Sequence, residues 1–472
     1  MKAIFLGCCM SIFSCYADKL DNFMEAFTAK PYTKQARVAF CIADSSDNIL
    51  ASYEENRSML PNSICKLLTT AAALEKLGSD FRFCTELLLS APAIEGSLEG
   101  DVIIYGDGDP SFAYQDYEKL FYRWACILKE KNIRCIKGNI VGNGSCFDTA
   151  MTPPSWLWED VGNYYGAGAS GLNFHENMYT VCLKLGSHVG DVTTIVSIHP
   201  PSSYVLLSNE VVSGPIGSGD RASFFGGEYA KEFTLRGSVP LDHPTFTLKG
   251  SISNPALWCA RCFKDFLQRQ GIEVRGEAVA VFDIKKEVSQ LCIDKVYSAP
   301  LRDLVSSTHQ RSMNLYAECL LKKLGEVVEK QGNLQGGLRS LTKYLQSLSV
   351  SLQGCQFFDG SGLSTKNLIT AKMMVDFLSK LSSKDYFSSF FPSLPSTVPG
   401  SSSRVARVFS SPKLQGRVHA KSGFSSQGES FAGFLLTQKG EMLRFCCIAN
   451  HSLETYSEWR KDMQTLLELF VD

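Results

Sequence analysis

The sequence predicts an α+β protein in which helices cover an antiparallel sheet and a large second region is inserted into the chain. Helical patterns stand near both ends, at 18–30 and 454–470, and three strands follow one another between 418 and 451. The stretches 79–145 and 178–247 instead alternate short strands with turns. Separate runs of strands and helices are typical of the α+β class. The chain has 472 residues, and its length predicts roughly two to four domains.

The first elements are predicted to be a hairpin followed by a helix. Apolar runs predict a strand over 36–44 and a partner strand over 48–54. Asn62 is a candidate N-cap, Ser63–Leu77 has a helical pattern, and Gly78 is the expected stop. We therefore expect a buried helix at the centre of this domain.

Further elements follow along the chain. The predicted helices are 117–131, 254–270, 301–309, 315–323 and a terminal amphipathic helix at 454–470; the predicted C-terminal strands are 418–424, 430–438 and 443–451. A short polar break separates the helices 301–309 and 315–323.

The first residues predict a secretory signal peptide over 1–17. Lys2 precedes the apolar run Ala3–Phe13, and Cys15-Tyr16-Ala17 offers small residues for cleavage. We expect export to the periplasm. A lipid anchor on Cys15, with peripheral attachment to the membrane, is the alternative. Elsewhere the sequence has no run of about 18 apolar residues, so no transmembrane span is predicted.

The composition favours a soluble globular protein with no nucleic-acid partner. Hydrophobic residues make up 44%, charged residues 20%, and the net charge is −1. Three of the 17 cysteines lie in the signal segment, and the other 14 show no spacing typical of a disulfide framework. Cys259 and Cys262 lie in a helical pattern without a second such pair, which favours core packing over a metal site. No metal or cofactor is predicted; disulfides and oligomeric state stay open.

The first candidate chemical motif is Ser63-Ile64-Cys65-Lys66. Positions three apart share one face of a helix, so Lys66 is expected beside the Ser63 hydroxyl. The helix N-terminus adds a positive potential there. A serine nucleophile needs a base, and a lysine serves only as a neutral amine, with a pKa below its usual value of about 10.4. An isolated Ser-x-x-Lys is more often a pair of surface residues.

The second motif, Ser312-Met313-Asn314, lies in the polar break between two helices. Side chains two residues apart in a loop can enter one cleft, where Ser312 would relay a proton and Asn314 would bind a substrate amide. Helix N-caps use the same residue types, which is the structural alternative.

The third motif, Lys421-Ser422-Gly423, lies in the predicted strand 418–424. Glycine in a strand allows another backbone to approach, and lysine offers a charge to a substrate carboxylate. An exposed edge strand protected by a lysine is the structural alternative. The three motifs in this order are far more specific than each one alone.

Together the motifs resemble those of the class C low-molecular-mass penicillin-binding proteins, the D-alanyl-D-alanine carboxypeptidase/endopeptidases. Further segments extend the resemblance over nearly the whole chain. They are the PASxxKLLT-like run 60–70, the GGGDP-like turn 106–110, the W-x-W-x-D and S-x-L-N-x-x-x-N region at 156–177, and the signature 359–364. Ser312 follows Ser63 by 249 residues, a gap that this class fills with inserted domains.

The resemblance implies the architecture. A β-lactamase/transpeptidase-like catalytic domain would comprise 18–85 and 290–472, an inserted second domain 86–177 and 248–289, and a small β-rich third domain 178–247. The inserted domains are expected to be mostly β.

The resemblance also implies the chemistry. Ser63 would form an acyl-enzyme with peptidoglycan stem peptides, Lys66 would be the general base, and Ser312 would pass a proton to the leaving amine. β-Lactam antibiotics are the expected covalent inhibitors. The residues expected to bind substrate are Asn314, Lys421, Ser422, Gly423, Phe424 and Asp160.

Within that set, Lys421 and Ser422 would hold the terminal carboxylate, and Asp160 would contact the diamino acid. The backbone N–H groups of Ser63 and Phe424 would form the oxyanion hole.

Three positions depart from the family pattern. Ser422 replaces the usual Thr and keeps its hydroxyl. Phe424 stands where Thr or Ser is common and is expected to narrow the pocket. Thr365 stands where Arg is frequent, which bears on the peptide end that is recognised.

Two other functions stay open. A β-lactamase or related esterase would need a loop with a glutamate at a suitable spacing, and none is evident. A non-catalytic protein that binds the cell wall would have no need of the full set of motif residues.

Overall fold

The computed structural model describes residues 18–201, 205–283, 290–452 and 456–472. The predicted signal peptide at 1–17, with Cys15, lies outside the described residues. The chain forms two compact units. The first comprises the residues up to Glu75, Val305–Ser312 and Leu341–Asp472; the second comprises Lys76–Leu304 and Met313–Ser340. The second unit is thus inserted twice into the sequence of the first.

The helices and strands are numbered in chain order. The helices are α1 (18–29), α2 (Pro31–Gln35), α3 (Cys65–Leu77), α4 (Tyr117–Glu130), α5 (Trp158–Val161), α6 (Pro255–Arg269), α7 (Leu301–Gln310), α8 (Asn314–Glu329), α9 (Leu334–Ser347), α10 (Ala371–Leu381), α11 (Phe387–Phe390), α12 (Arg404–Val408) and α13 (Ser457–Leu469). The strands are β1 (Arg37–Ala43), β2 (Ile49–Tyr53), β3 (Cys84–Leu89), β4 (Ala93–Ile94), β5 (Ser97–Leu98), β6 (Val102–Tyr105), β7 (Cys135–Ile136), β8 (Ile140–Asn143), β9 (Met178–Lys184), β10 (Thr194–His199), β11 (Leu206–Gly214), β12 (Ser223–Phe225), β13 (Glu232–Pro240), β14 (Thr245–Ser251), β15 (Glu273–Val274), β16 (Ala278–Val281), β17 (Leu291–Tyr297), β18 (Val418–Ser425), β19 (Gly428–Leu436) and β20 (Met442–Asn450).

The first unit is built on one antiparallel sheet with strand order β18-β19-β20-β1-β2. Phe40 of β1 and Phe445 of β20 are fully buried on one face, in a core that also contains Trp459 and Met463 of α13. Burial of this apolar surface is the main favourable term in folding. Helices from both ends of the chain therefore cover one sheet, and the predicted α+β class is confirmed.

The helix α3 is buried on nearly every side. Each residue from Cys65 to Leu74 is buried. A helix that is buried on all of its faces lies in the interior of a protein and not at its surface. The prediction of a buried central helix after the hairpin is confirmed.

The start of this helix differs from the prediction. Asn62 is not the N-cap, because it lies inside a short 3-10 turn, Asn62–Ile64, that leads into α3. Its backbone has a left-handed φ of 51°, and the N-cap position of this turn is taken by Pro61. Gly78 ends the helix with φ 86°, as predicted.

The second unit contains several small sheets and the long helices α4, α6 and α8. The region 178–251 forms two three-stranded sheets, ordered β10-β9-β14 and β11-β13-β12. Another two sheets are ordered β16-β8-β6-β3-β17 and β15-β7-β5-β4. The helix α6 buries Cys259 and Cys262, and core packing is thus confirmed for this pair. The division of the chain into three domains stays a prediction.

Across the four described ranges, no helix combines the length and the apolar character needed to cross a membrane.

A buried ion-pair cluster holds the end of the β18–β19 hairpin. Glu429 of β19 is completely buried and lies opposite Phe424 of β18. Arg404 Nε donates to one carboxylate oxygen at 2.8 Å, and Arg460 Nε donates to the other at 2.7 Å. A buried carboxylate is costly without partners, so Glu429 needs both arginines. Since Arg404 belongs to α12 and Arg460 to α13, these ion pairs hold the two helices against the hairpin.

Glu429→Ala is expected to lower the free energy of unfolding by about 3 kcal/mol, because it removes one side of a buried pair and leaves two arginines without it. Urea unfolding followed by tryptophan fluorescence measures the change. Glu210→Ala is the control, since its ion pair with Arg236 is more than half exposed, and no measurable change is expected. Equal, small effects of both substitutions would contradict the role given to Glu429.

Candidate active site

Ser63 and Lys66 form a hydrogen-bonded pair at the start of α3. Lys66 Nζ donates to Ser63 Oγ at 2.8 Å and to the carbonyl oxygen of Ser361 at 2.7 Å. The Lys66 side chain is completely buried, whereas Ser63 is partly exposed. The three-residue spacing therefore gives the contact expected of it. A partly exposed hydroxyl beside a buried amine is the arrangement that an activated serine requires.

The carbonyl that receives Lys66 belongs to the loop 359–364. The buried Asp359 carboxylate organises this loop by accepting from the backbone N–H of Gly362 at 2.8 Å and of Ser364 at 2.6 Å. Thr69 of α3 donates to the Gly360 carbonyl at 2.7 Å, so the loop is also bound to the helix. The signature 359–364 therefore fixes an acceptor for Lys66, a role that the sequence did not indicate.

A second lysine–serine pair joins β18 to the end of α7. Lys421 Nζ donates to Ser312 Oγ at 2.9 Å and to the carbonyl oxygen of Ser422 at 2.7 Å. Ser312 follows α7 in a left-handed conformation, with φ 55°. This backbone conformation, unusual for a residue other than glycine, turns the chain directly after the helix.

The two buried lysines affect each other electrostatically. Lys421 is only 1% exposed. Burial, and then the charge of Lys66, lower the pKa of Lys421 well below its ordinary value. The structure thus brings Ser63, Lys66, Ser312 and Lys421 together within the first unit.

Gly423 allows β18 to lie directly against the Ser63 backbone. A Cβ atom at Gly423 would lie 2.8 Å from the Ser63 nitrogen and 2.8 Å from Asn62 Cβ. Real Cβ atoms do not come this close to such neighbours. Glycine is therefore required here for the close approach that the sequence predicts.

The Phe424 side chain lies at the protein surface, and the expected narrowing of the pocket stays a prediction. Side chains alternate along a strand, so Phe424 points to the face of β18 opposite to Gly423. Phe424 is 54% exposed, and the Arg404 guanidinium carbon lies 4.1 Å from the centroid of its ring. Ser422, which shares that face, is partly exposed. The backbone N–H of Phe424 is unaffected by this side-chain direction.

Asn314 and Asp160 lie in the second unit, where both contact Tyr165. Asn314 begins α8 and donates through Nδ2 to the Tyr165 carbonyl at 2.7 Å. Asp160 lies in α5; burial raises its pKa, and a hydrogen bond from the Tyr165 side chain opposes that increase. The substrate-binding roles of Asn314 and Asp160 stay predictions.

Sequence reasoning missed His309, a fully buried histidine three residues before Ser312.

Within the described ranges, no group of three or more His, Cys, Asp or Glu side chains is arranged to hold a metal ion.

Comparison with known protein families identifies the chain. A model of the D-Ala-D-Ala carboxypeptidase 3 (S13) family matches residues 20–469. The chain belongs to this family of peptidases. The resemblance drawn from the three motifs is confirmed.

Individual relatives agree with the family over most of the chain. A D-alanyl-D-alanine carboxypeptidase of Actinomadura sp. is 27% identical over 411 residues, which cover 83% of this chain and 74% of that protein. The D-alanyl-D-alanine carboxypeptidase DacB of Haemophilus influenzae is 26% identical over 431 residues, which cover 88% and 85%.

Solved structures show the same fold. The crystal structure of penicillin-binding protein 4 (DacB) from Haemophilus influenzae superposes with a TM-score of 0.80 at 22% identity, over 92% of this chain and 96% of that chain. A complex of that protein with a β-lactam gives a TM-score of 0.76 at 21% identity, over 93% and 99%. These matches confirm the predicted fold class of this chain.

Gly423→Ala is expected to slow acylation by a fluorescent penicillin at least about 100-fold, because the added methyl group displaces β18 from Ser63. Stopped-flow fluorescence measures the rate constant. Gly227→Ala is the control, because the nearest atom to its added Cβ is 3.5 Å away. A near-normal rate for Gly423→Ala would show that the close approach has no part in acylation.

Proposed function

We propose that this family member is a serine D-alanyl-D-alanine carboxypeptidase/endopeptidase that acts on peptidoglycan stem peptides through an acyl-enzyme on Ser63. The observation that carries the proposal is the pair of buried lysine–serine contacts, Lys66 with Ser63 and Lys421 with Ser312. Each contact places a serine hydroxyl, which can give up a proton, beside a lysine amine, which can receive that proton or return it.

Acylation begins with proton transfer from Ser63 to Lys66. The Ser63 oxygen attacks the carbonyl carbon of the peptide bond between the two D-alanines, while the neutral Lys66 amine accepts the hydroxyl proton. The carbonyl oxygen becomes an oxyanion and receives hydrogen bonds from the backbone N–H groups of Ser63 and Phe424. The close approach of β18 to Ser63, which leaves no room for a Cβ atom at Gly423, supports this oxyanion hole because it brings the two backbones together.

Collapse of this intermediate breaks the peptide bond. Ser312 donates its hydroxyl proton to the nitrogen of the leaving D-alanine. The proton that Lys66 accepted then returns to Ser312 through Lys421, whose amine donates to Ser312 Oγ. Water then attacks the acyl-enzyme and gives up a proton to Lys66, which returns it to Ser63 Oγ as the ester bond breaks. The protons balance over the cycle, and no cofactor is required.

The charge of the lysine pair changes when substrate binds. In the free protein, burial and mutual repulsion disfavour two charged amines at once. A substrate carboxylate beside Lys421 and Ser422 would stabilise the charge on Lys421. Because two neighbouring charges repel, Lys66 would then be the neutral amine of the two. Recognition of the terminal carboxylate would thereby activate the base.

The proposed substrate also implies where the chain works. Peptidoglycan lies outside the cytoplasmic membrane, and the signal-like sequence at 1–17 supports export to the periplasm. Retention on the membrane through lipid on Cys15 is a separate prediction, which mass spectrometry of the exported protein tests. Penicillins are proposed as covalent inhibitors because they present a reactive carbonyl and a carboxylate like those of the terminal dipeptide.

Ser63→Ala is expected to abolish covalent labelling by a fluorescent penicillin and hydrolysis of defined muropeptides, because no acyl-enzyme can form. Mass spectrometry of the labelled wild type locates the modified residue. Slow loss of label would distinguish the peptidase from a β-lactamase, which releases it quickly. Full labelling of the Ser63→Ala variant at another residue would refute the assignment.

Lys421→Ala is expected to reduce kcat/KM about 10- to 100-fold more for a peptide with a free terminal carboxylate than for its amide, because the variant loses a charge-assisted hydrogen bond. The matched amide is the control for the loss of the contact with Ser312, which affects both substrates. Equal losses on the two peptides would show that Lys421 does not hold the carboxylate.

A further inference from the structure

His309 connects the helix that carries Lys66 with the segment that carries Ser312. It lies in the last turn of α7. Its Nε2 is 2.8 Å from Thr70 Oγ1, and its Nδ1 is 2.7 Å from Ser393 Oγ. Thr70 stands one turn after Lys66 in α3, and Thr70 Oγ1 also lies 2.7 Å from the Lys66 carbonyl oxygen. One imidazole thus reaches both catalytic elements.

The contacts around His309 form a continuous chain of hydrogen bonds. It runs from the Lys66 carbonyl through the Thr70 hydroxyl, the imidazole and the Ser393 hydroxyl to the Phe390 carbonyl. A neutral imidazole has one N–H, so the chain has three protons for four contacts. The Thr70 hydroxyl can donate to the Lys66 carbonyl and also keep its hydrogen bond with the imidazole only when Thr70 Oγ1 accepts from Nε2–H. The Nε2–H tautomer therefore holds the first turn of α3 most firmly.

The surroundings keep His309 neutral. The charged groups that face it, among the described residues, are Lys66 of α3 and Lys421 of β18. Burial first, and then these two lysines, lower its pKa to about 3. On the other side it meets the uncharged Ser393 hydroxyl and the Phe390 ring, whose centroid is 5.2 Å away. Because its pKa is depressed, the imidazole is neutral at every pH well above 3 and adds no third cation.

We propose that His309 is a positioning residue that holds α3 against the Ser312 segment and so keeps Lys66 and Lys421 close together. The proposal rests on the roles proposed above for Ser63 and Lys66. Closeness of the two amines disfavours two charges at once and leaves a neutral amine available as a base. A histidine suits this position because it donates at one end and accepts at the other without carrying a charge.

Two variants test the bridge. His309→Leu removes both contacts, and Thr70→Val removes only the contact toward Lys66. Both are expected to slow acylation by a fluorescent penicillin at least about tenfold, because small displacements at a reacting centre are costly. His309→Gln, whose amide can donate and accept, is expected to recover part of the rate.

The pH profile distinguishes positioning from general destabilisation. When α3 loosens, the two amines move apart and each keeps its proton to a higher pH. Acylation needs a neutral amine, so the acidic limb of the rate is expected to move upward by at least about half a pH unit in both variants. The rate constant is measured between pH 5 and 10, and the melting temperature is recorded for each variant.

Tyr344→Phe is the matched control, because it removes one hydroxyl of the buried Tyr344–Tyr386 pair elsewhere in the first unit. It is expected to lower the melting temperature without moving the acidic limb. A His309→Leu profile with the limb at its wild-type pH would overturn the positioning role. Failure of the wild type to become labelled at Ser63 would instead overturn the proposed function on which this inference rests.

Discussion

The burial of two lysine side chains beside each other is the constraint on which the rest of the site depends. Lys66 and Lys421 are almost completely removed from water, and each amine donates to a serine hydroxyl and to a backbone carbonyl. Such an environment penalises charge, and two neighbouring charges penalise each other. Burial and the charge of Lys66 therefore lower the pKa of Lys421, and a lowered pKa favours the neutral amine that can accept a proton.

Close packing around the serine follows from two glycines on different segments. Gly423 brings β18 to the Ser63 nitrogen. Gly362 has φ 83°, and a Cβ there would lie 1.9 Å from the Asn62 carbonyl oxygen. The turn before α3 is therefore enclosed between β18 and the loop 359–364, both of which also supply partners of the lysines. Geometry and electrostatics of the site thus have the same structural origin.

The strand β18 serves two environments through its alternating side chains. On one face, Lys421 contacts Ser312 and Gly423 lies against the Ser63 backbone. On the other face, Phe424 lies beside Arg404 and opposite the buried Glu429. The ion-pair cluster on that second face fixes the hairpin end by contacts that do not touch the catalytic groups. The strand that carries the Phe424 backbone N–H is thus held by contacts that do not involve the catalytic lysines and serines.

The sequence by itself determined what depends on neighbouring residues. Helical spacing predicted the contact of Lys66 with Ser63, strand patterns predicted the sheet, and three motifs in order indicated the family. The tertiary structure alone decided features that depend on residues distant in the chain. The left-handed turn at Asn62 follows from enclosure by two remote segments, and the direction of the Phe424 ring follows from its position in the sheet. The bridge made by His309 joins α7 to Thr70 across 239 positions. Local propensity carries no information about such contacts, because they form only when the whole sheet and its helices pack together.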